Sequence, residues 1–216
     1  MKIRDFEIKG CIFDLDGTLL DSCSIWSEVD KNFFKKRNME VPSDYAKAIM
    51  TLGLKESAEY TKRTYSLDDS IEDIMNEWLN DVQKKYEHEV KLKNNARKYL
   101  KKLNENGIPL VIATANTSEC YAPCIDRLGI TKYFIGAYDV RNFKDGKKNP
   151  EIFIKCAEGM NLKPNEIMVF EDSVVALETA KKAGFITCGV YDSTCGNENE
   201  KKNISDIYIN DFGELM

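Results

Sequence analysis

Apolar residues along this chain recur with two different rhythms, and the change of rhythm divides it. A short apolar run, Gly10 to Phe13, ends at Asp14 and predicts a buried strand. Beyond Asp21 the spacing becomes helical: Ile25, Trp26, Val29, Phe33 and Phe34 form one stripe after Ser22, a residue suited to a helix cap. Pro42 and Ser43 open a second helical stretch through Tyr45, Ala48 and Ile49, interrupted at Gly53. Further helical patterns run from Lys55 to Tyr65 and from Ser70 through Ile74, Trp78, Val82 and Tyr86. No strand signal occurs between Asp21 and His88.

From Asn94 onward helices and strands alternate. A helix stripe (Ala96, Tyr99, Leu100, Leu103) precedes the strand Pro109 to Ala113, and a helix runs from Cys120 to Leu128 before a short strand at Phe134 to Tyr138. Pro150 opens a helix, followed by the strand Ile167 to Phe170, a helix to Ala183-Gly184, a strand from Ile186 to Val190 and a last one at Ile207 to Ile209. Gly196 to Lys202 reads as a polar loop. The alternation predicts an α/β fold, a doubly wound parallel sheet with right-handed crossovers. The all-helical stretch does not fit such a layer system and is expected to form a separate inserted domain over residues 21–89, with residues 1–20 and 90–216 forming the core.

In an open parallel sheet, ligands sit beyond the carboxyl ends of the strands. Three strands here end in polar clusters: Asp14 and Asp16, Thr114 and Asn116, Glu171 and Asp172. Asp14 and Asp16 leave an extended backbone on the same side, and Gly17 permits a sharp turn after them. Clustered acids repel unless a cation or shared proton intervenes, so they suggest a Mg²⁺ site, and an aspartate is a competent nucleophile towards phosphorus.

Asp14-Leu15-Asp16-Gly17-Thr18 resembles the first signature of the haloacid dehalogenase superfamily. Thr114, with Ala115 behind it, is similar to the family's second motif, and Gly146-Lys147-Lys148-Asn149-Pro150 to its third. Glu171-Asp172-Ser173, followed by Ala183-Gly184, is similar to the fourth. The resemblance covers roughly Lys9 to Tyr191 and implies a Rossmann-like core carrying a helical C1 cap, in the β-phosphoglucomutase-like and phosphatase branch.

What the resemblance implies for the site is a Mg²⁺-dependent phosphatase acting on a small phosphorylated metabolite. Asp14 would be the nucleophile, Asp16 the general acid/base, and Thr114 and Lys147 the stabilisers of the transferring phosphoryl group. Lys148 occupies the place where the family commonly has Pro, so either lysine could be the catalytic one. Asp14, Asp16, Asp172 and Glu171 would hold the metal, and Gly17, Thr18, Ala115 and Asn116 would line the phosphate. The cap would close over the site and select the leaving group, with Trp26 and the segment near Gly53 and Lys55 as candidate contacts. At helical spacing, Trp26 also reads as core packing between cap helices. The rival activity is a phosphosugar mutase, whose relatives carry a cap histidine where this chain has Trp26. A phosphometabolite-binding protein without turnover is a further alternative.

Composition sharpens this. With 216 residues, 43% hydrophobic and 31% charged, the chain can bury a good core and a modest second lobe. A net charge of −5 argues against coating nucleic acid. The charged N-terminus and the absence of a long apolar run predict a cytoplasmic protein without membrane attachment, a monomer or weak homodimer. Seven cysteines without Cys-x-x-Cys pairs read as reduced thiols. Cys120 and Cys124 share helical spacing, but with one histidine, His88, in the chain a zinc site there is not expected.

Overall fold

The structure, a computed structural model, describes residues 1–49, 52, 54–194 and 196–216. In chain order its strands and α-helices are β1 (Lys2–Ile3), β2 (Phe6–Glu7), β3 (Gly10–Phe13), β4 (Leu20–Asp21), α1 (Ile25–Lys36), α2 (Tyr45–Ile49), α3 (Leu54–Tyr65), α4 (Ile71–His88), β5 (Lys91–Leu92), α5 (Ala96–Glu105), β6 (Leu110–Thr114), α6 (Ser118–Arg127), β7 (Phe134–Asp139), α7 (Glu151–Met160), β8 (Ile167–Glu171), α8 (Val174–Lys182), β9 (Ile186–Val190), α9 (Glu198–Ile204) and β10 (Ile207–Ile209). They form two compact units, Met1–Cys23 with Val90–Met216, and Ser24–Glu89.

The larger unit is built on a six-stranded sheet of order β10-β9-β8-β3-β6-β7 in which every pairing is parallel. β3 sits between β8 and β6 with all four residues buried, the expected consequence of covering both faces of a parallel sheet with helices. Alternate residues serve opposite faces. Ile12 joins Val111, Val169, Ile152, Phe153 and Ala176 in one core, whereas Phe13 stacks on Phe170 at 4.4 Å between ring centres and belongs to an aromatic cluster with Tyr99 and Phe212. Gly10 has no room for a side chain, because a Cβ there would lie 2.7 Å from Leu162 Cδ1.

Among its described residues the smaller unit contains α1 to α4 and no strand. Phe33 packs edge-on against Trp78, and Phe34 against Tyr45 and Tyr65. Ser70 caps α4 in a reciprocal pair with Asp73. Arg37 lies 3.7 Å from the Phe33 ring centre and bonds both Asp69 and Glu77, tying α1 to the start of α4.

Three expectations from the sequence change. The polar stretch after Gly196 is not a loop: it forms α9, which buries Lys201 and pairs Glu198 with Lys202 one turn on. Ser22 does not cap α1; Ser24 occupies that place, and the Ser22 hydroxyl is engaged elsewhere. Trp26 is not core packing but 47% exposed, and Trp78 is the tryptophan the helices bury. Gly53 lies outside the described residues; Lys55 is exposed on α3. Among the described residues, no helix is long and apolar enough to cross a membrane.

Candidate active site

The sheet order reverses at β3: the chain proceeds outward from it to β6 and β7, then returns to its other side for β8, β9 and β10. At such a switch point the helices on neighbouring strands diverge and leave a crevice beyond the strand ends. The register aligns Phe13 with Ile112 and Phe170, so Asp14, Thr114 and Glu171-Asp172 emerge together at one edge. The Asp14 N–H donates to the Phe170 carbonyl at 3.0 Å, which carries the ladder one residue past β3.

The turn after Asp14 depends on Gly17. Its φ is +80°, and a Cβ would lie 2.7 Å from Asp172 Cγ and 2.8 Å from Cys23 Sγ. The Gly17 N–H donates to the Leu20 carbonyl and the Leu20 N–H to the Leu15 carbonyl, so the loop folds back tightly. Thr18 is thereby buried, its hydroxyl 3.4 Å from Asp172 Oδ1.

Asp14, Glu171 and Asp172 are all buried, and each offers a carboxylate oxygen within 4.8 Å of the others. Lys147 Nζ bonds Asp14 Oδ1 and also reaches Glu171 Oε1. Three carboxylates against one ammonium leave uncompensated negative charge in a buried place. Burial pushes the Asp14 carboxyl upward; Lys147 pulls it down, and Glu171 and Asp16 push it further up. Burial likewise works against the Lys147 ammonium, yet Asp14 and Glu171 hold its pKa above the ordinary lysine value. An all-oxygen donor set of this charge fits a hard divalent cation such as Mg²⁺. Lys148 is exposed, and its carbonyl accepts from Thr179.

Asp16 is not part of this cluster. One of its carboxylate oxygens accepts from the Ser22 hydroxyl at 2.6 Å and the other from Asn116 Nδ2 at 3.1 Å. Asn116 in turn donates its backbone N–H to Thr114 Oγ1 at 3.0 Å, leaving the Thr114 hydroxyl proton free to donate. Ala115 is exposed between them. The second acid accepts from Ser22 and Asn116, while the first is held by a cation. Sequence reasoning missed Ser22 as a functional residue. Cys120 and Cys124 are free thiols, both raised by burial.

Comparison with known proteins supplies the family. The model of the haloacid dehalogenase-like hydrolases matches residues 11–190, from the first residues of β3 to the end of β9. The chain belongs to the haloacid dehalogenase-like hydrolase family. Within that family it is 26% identical over 177 residues to a phosphorylated carbohydrates phosphatase of Thermotoga maritima, covering 82% of each chain. It is 27% identical over 233 residues to a phosphoglycolate phosphatase of Salmonella choleraesuis, covering 97% of this chain and 91% of that one. Among solved structures, a Thermotoga maritima protein provisionally named a beta-phosphoglucomutase superposes with a TM-score of 0.86 at 24% identity, covering 96% of this chain and 97% of that one. That solved structure shares the fold described above.

Proposed function

We propose that the protein is a Mg²⁺-dependent phosphatase that hydrolyses a small phosphorylated metabolite through an aspartyl-phosphate on Asp14. The observation that carries this reading is the division of labour between the two acids: Asp14 lies against Lys147 in the acidic cluster, and Asp16 is held separately by Ser22 and Asn116. A nucleophile needs its charge and a general acid needs a proton to give, so two carboxylates in different surroundings suit the two roles.

In the first step an Asp14 carboxylate oxygen attacks phosphorus, and the bond from phosphorus to the ester oxygen breaks as Asp16 delivers a proton to the leaving alkoxide. In the second, Asp16 takes a proton from water, whose oxygen attacks phosphorus and releases inorganic phosphate from Asp14. Lys147 and the Thr114 hydroxyl offset charge on the phosphoryl oxygens. The residues that would hold Mg²⁺ are Asp14, Asp172, Glu171 and the main-chain carbonyl of Asp16, and the ion's chemistry there is neutralisation of the phosphoryl group.

The phosphatase relative named for phosphorylated carbohydrates supports a sugar or related small ester as substrate. Residues 21–89 act as a cap that selects the leaving group, with Trp26 and Lys55 as candidate contacts, and the protein works in the cytoplasm as a monomer or weak homodimer. Against a phosphosugar mutase stands the single histidine, His88, an exposed residue at the end of α4. The test is phosphate release across a panel of phosphorylated metabolites with Mg²⁺ or EDTA, taking Asp14→Asn as the blank. Release that survives Asp14→Asn refutes the nucleophile, and sugar-phosphate isomerisation without release favours the mutase.

A further inference from the structure

Among the described residues, five side-chain polar atoms are buried without a hydrogen-bond partner, and three of them fall in one short segment: Lys201 Nζ, Ser205 Oγ and Tyr208 Oη. The other two, Trp78 Nε1 and Tyr99 Oη, sit singly in aromatic packing. Lys201 lies on α9, Ser205 ends that helix, and Tyr208 is on β10, at the edge of the sheet and two strands away from β8 with its acids. The three side chains converge. The Ser205 N–H donates to the Lys201 carbonyl at 3.0 Å, so the two residues are one helical turn apart on the same face. Tyr208 pairs with Gly189 in the sheet, and a Cβ at Gly189 would lie 2.5 Å from Ser205 Oγ and 3.0 Å from Tyr208 Cδ2. The serine hydroxyl and the tyrosine ring therefore meet over the same glycine.

Among the described residues no carboxylate accepts from the Lys201 ammonium, because the acids around it are engaged elsewhere or face solvent. Glu198 pairs with Lys202, Asp206 pairs with Lys181 and accepts from the Thr187 N–H and hydroxyl, and Glu200 is exposed. The Ile204 carbonyl at the end of α9 accepts from Lys181. An ammonium on a residue 1% exposed is costly unless an anion accompanies it. Two hydroxyls without an acceptor are free to turn their protons towards the same point.

We propose that Lys201, Ser205 and Tyr208 are the donors of an internal anion site that takes one halide ion, chloride in particular. One charged and two neutral donors with no competing carboxylate suit a monovalent anion, and the burial of Lys201 leaves no opening for a phosphate or an organic acid. The ion ties the end of α9 to β10, so the stability of the fold depends on chloride by mass action.

The experiment is thermal unfolding of the full chain in mixtures of sodium chloride and sodium gluconate at constant ionic strength, for wild type, Lys201→Met, Ser205→Ala and Tyr208→Phe. Gluconate is too large to enter and serves as the chloride-free reference. Wild-type Tm is expected to rise by roughly 3–6 °C for each tenfold increase in chloride once the site begins to fill. In Lys201→Met the rise should disappear, and in gluconate alone this variant should melt above the wild type. Ser205→Ala and Tyr208→Phe should move the rise to higher chloride. A wild-type Tm indifferent to the exchange of gluconate for chloride overturns the proposal and makes the occupant a neutral molecule such as water. A rise of equal size in Lys201→Met also overturns it, since chloride would then bind elsewhere. Should Lys201→Met fail to fold, the other two variants decide, and an unchanged chloride dependence in both overturns the proposal.

Discussion

Removing one acid from the buried cluster should have opposite effects with and without metal. Carboxylate oxygens of Asp14, Glu171 and Asp172 approach within 4.8 Å of one another. At that separation and an effective dielectric of about 20, each like-charge pair costs roughly 3 kcal/mol. Asp172→Asn relieves the pair with Glu171 and, because the Asp14 carboxyl is pushed upward, only part of the pair with Asp14; it loses part of the attraction to Lys147 and keeps an amide oxygen facing Thr18, so the net gain without metal is about 1–3 kcal/mol. For a chain of this length that raises Tm by roughly 3–8 °C. Mg²⁺ at a hundred times its Kd should stabilise the wild type by about 2.7 kcal/mol and the variant by much less. The assay is thermal unfolding of both proteins in EDTA and across a Mg²⁺ titration, with the two curves expected to cross. If Asp172→Asn melts below the wild type in EDTA, the cluster is not electrostatically strained; if it gains as much from Mg²⁺ as the wild type, Asp172 is not a ligand.

Two further outcomes concern stability. Burial works against ionised Asp192, but Lys93 at 2.6 Å and the Thr194 hydroxyl and N–H outweigh it and bring its pKa down to about 2. Because the folded value lies below the unfolded one, the contribution is complete above about pH 4 and is lost as pH falls towards 2; it amounts to about 1–2 kcal/mol after allowance for screening. Acid titrations of wild type and Lys93→Met should differ in that window, and coincident profiles would refute the assignment. Lys201 is 1% exposed with Nζ unpartnered, so Lys201→Met should stabilise by about 1–2 kcal/mol in urea unfolding at neutral pH, and a lower midpoint would contradict this.

The sheet was legible because its inner strands are buried on both faces and so stand out as apolar runs, Gly10–Phe13 and Ile167–Glu171 above all. The clustered acids were legible for a related reason: polar residues at the ends of such runs have one place to go. Ser22 was not, since its bond to Asp16 depends on a reversal at Gly17 that no periodicity announces. Nor was α9, where Glu-Asn-Glu-Lys-Lys-Asn gives no apolar stripe and the helix buries a whole lysine side chain instead. Trp26 and Trp78 both sit at helical spacing, and only packing against Phe33 separates the buried one from the exposed one.

The strand that leaves the core for the helices and the strand that returns are hydrogen-bonded neighbours: β4 pairs with β5, Leu20 opposite Leu92 and Asp21 opposite Lys91. The ribbon closes the excursion at its base. Pairing of β3 with β6 then needs no information about what lies between them, and a longer, shorter or wholly different insert changes loop-closure entropy only logarithmically. The chain is in that sense already spliced for exchange, with chemistry kept on one side of the ribbon and the part free to vary on the other.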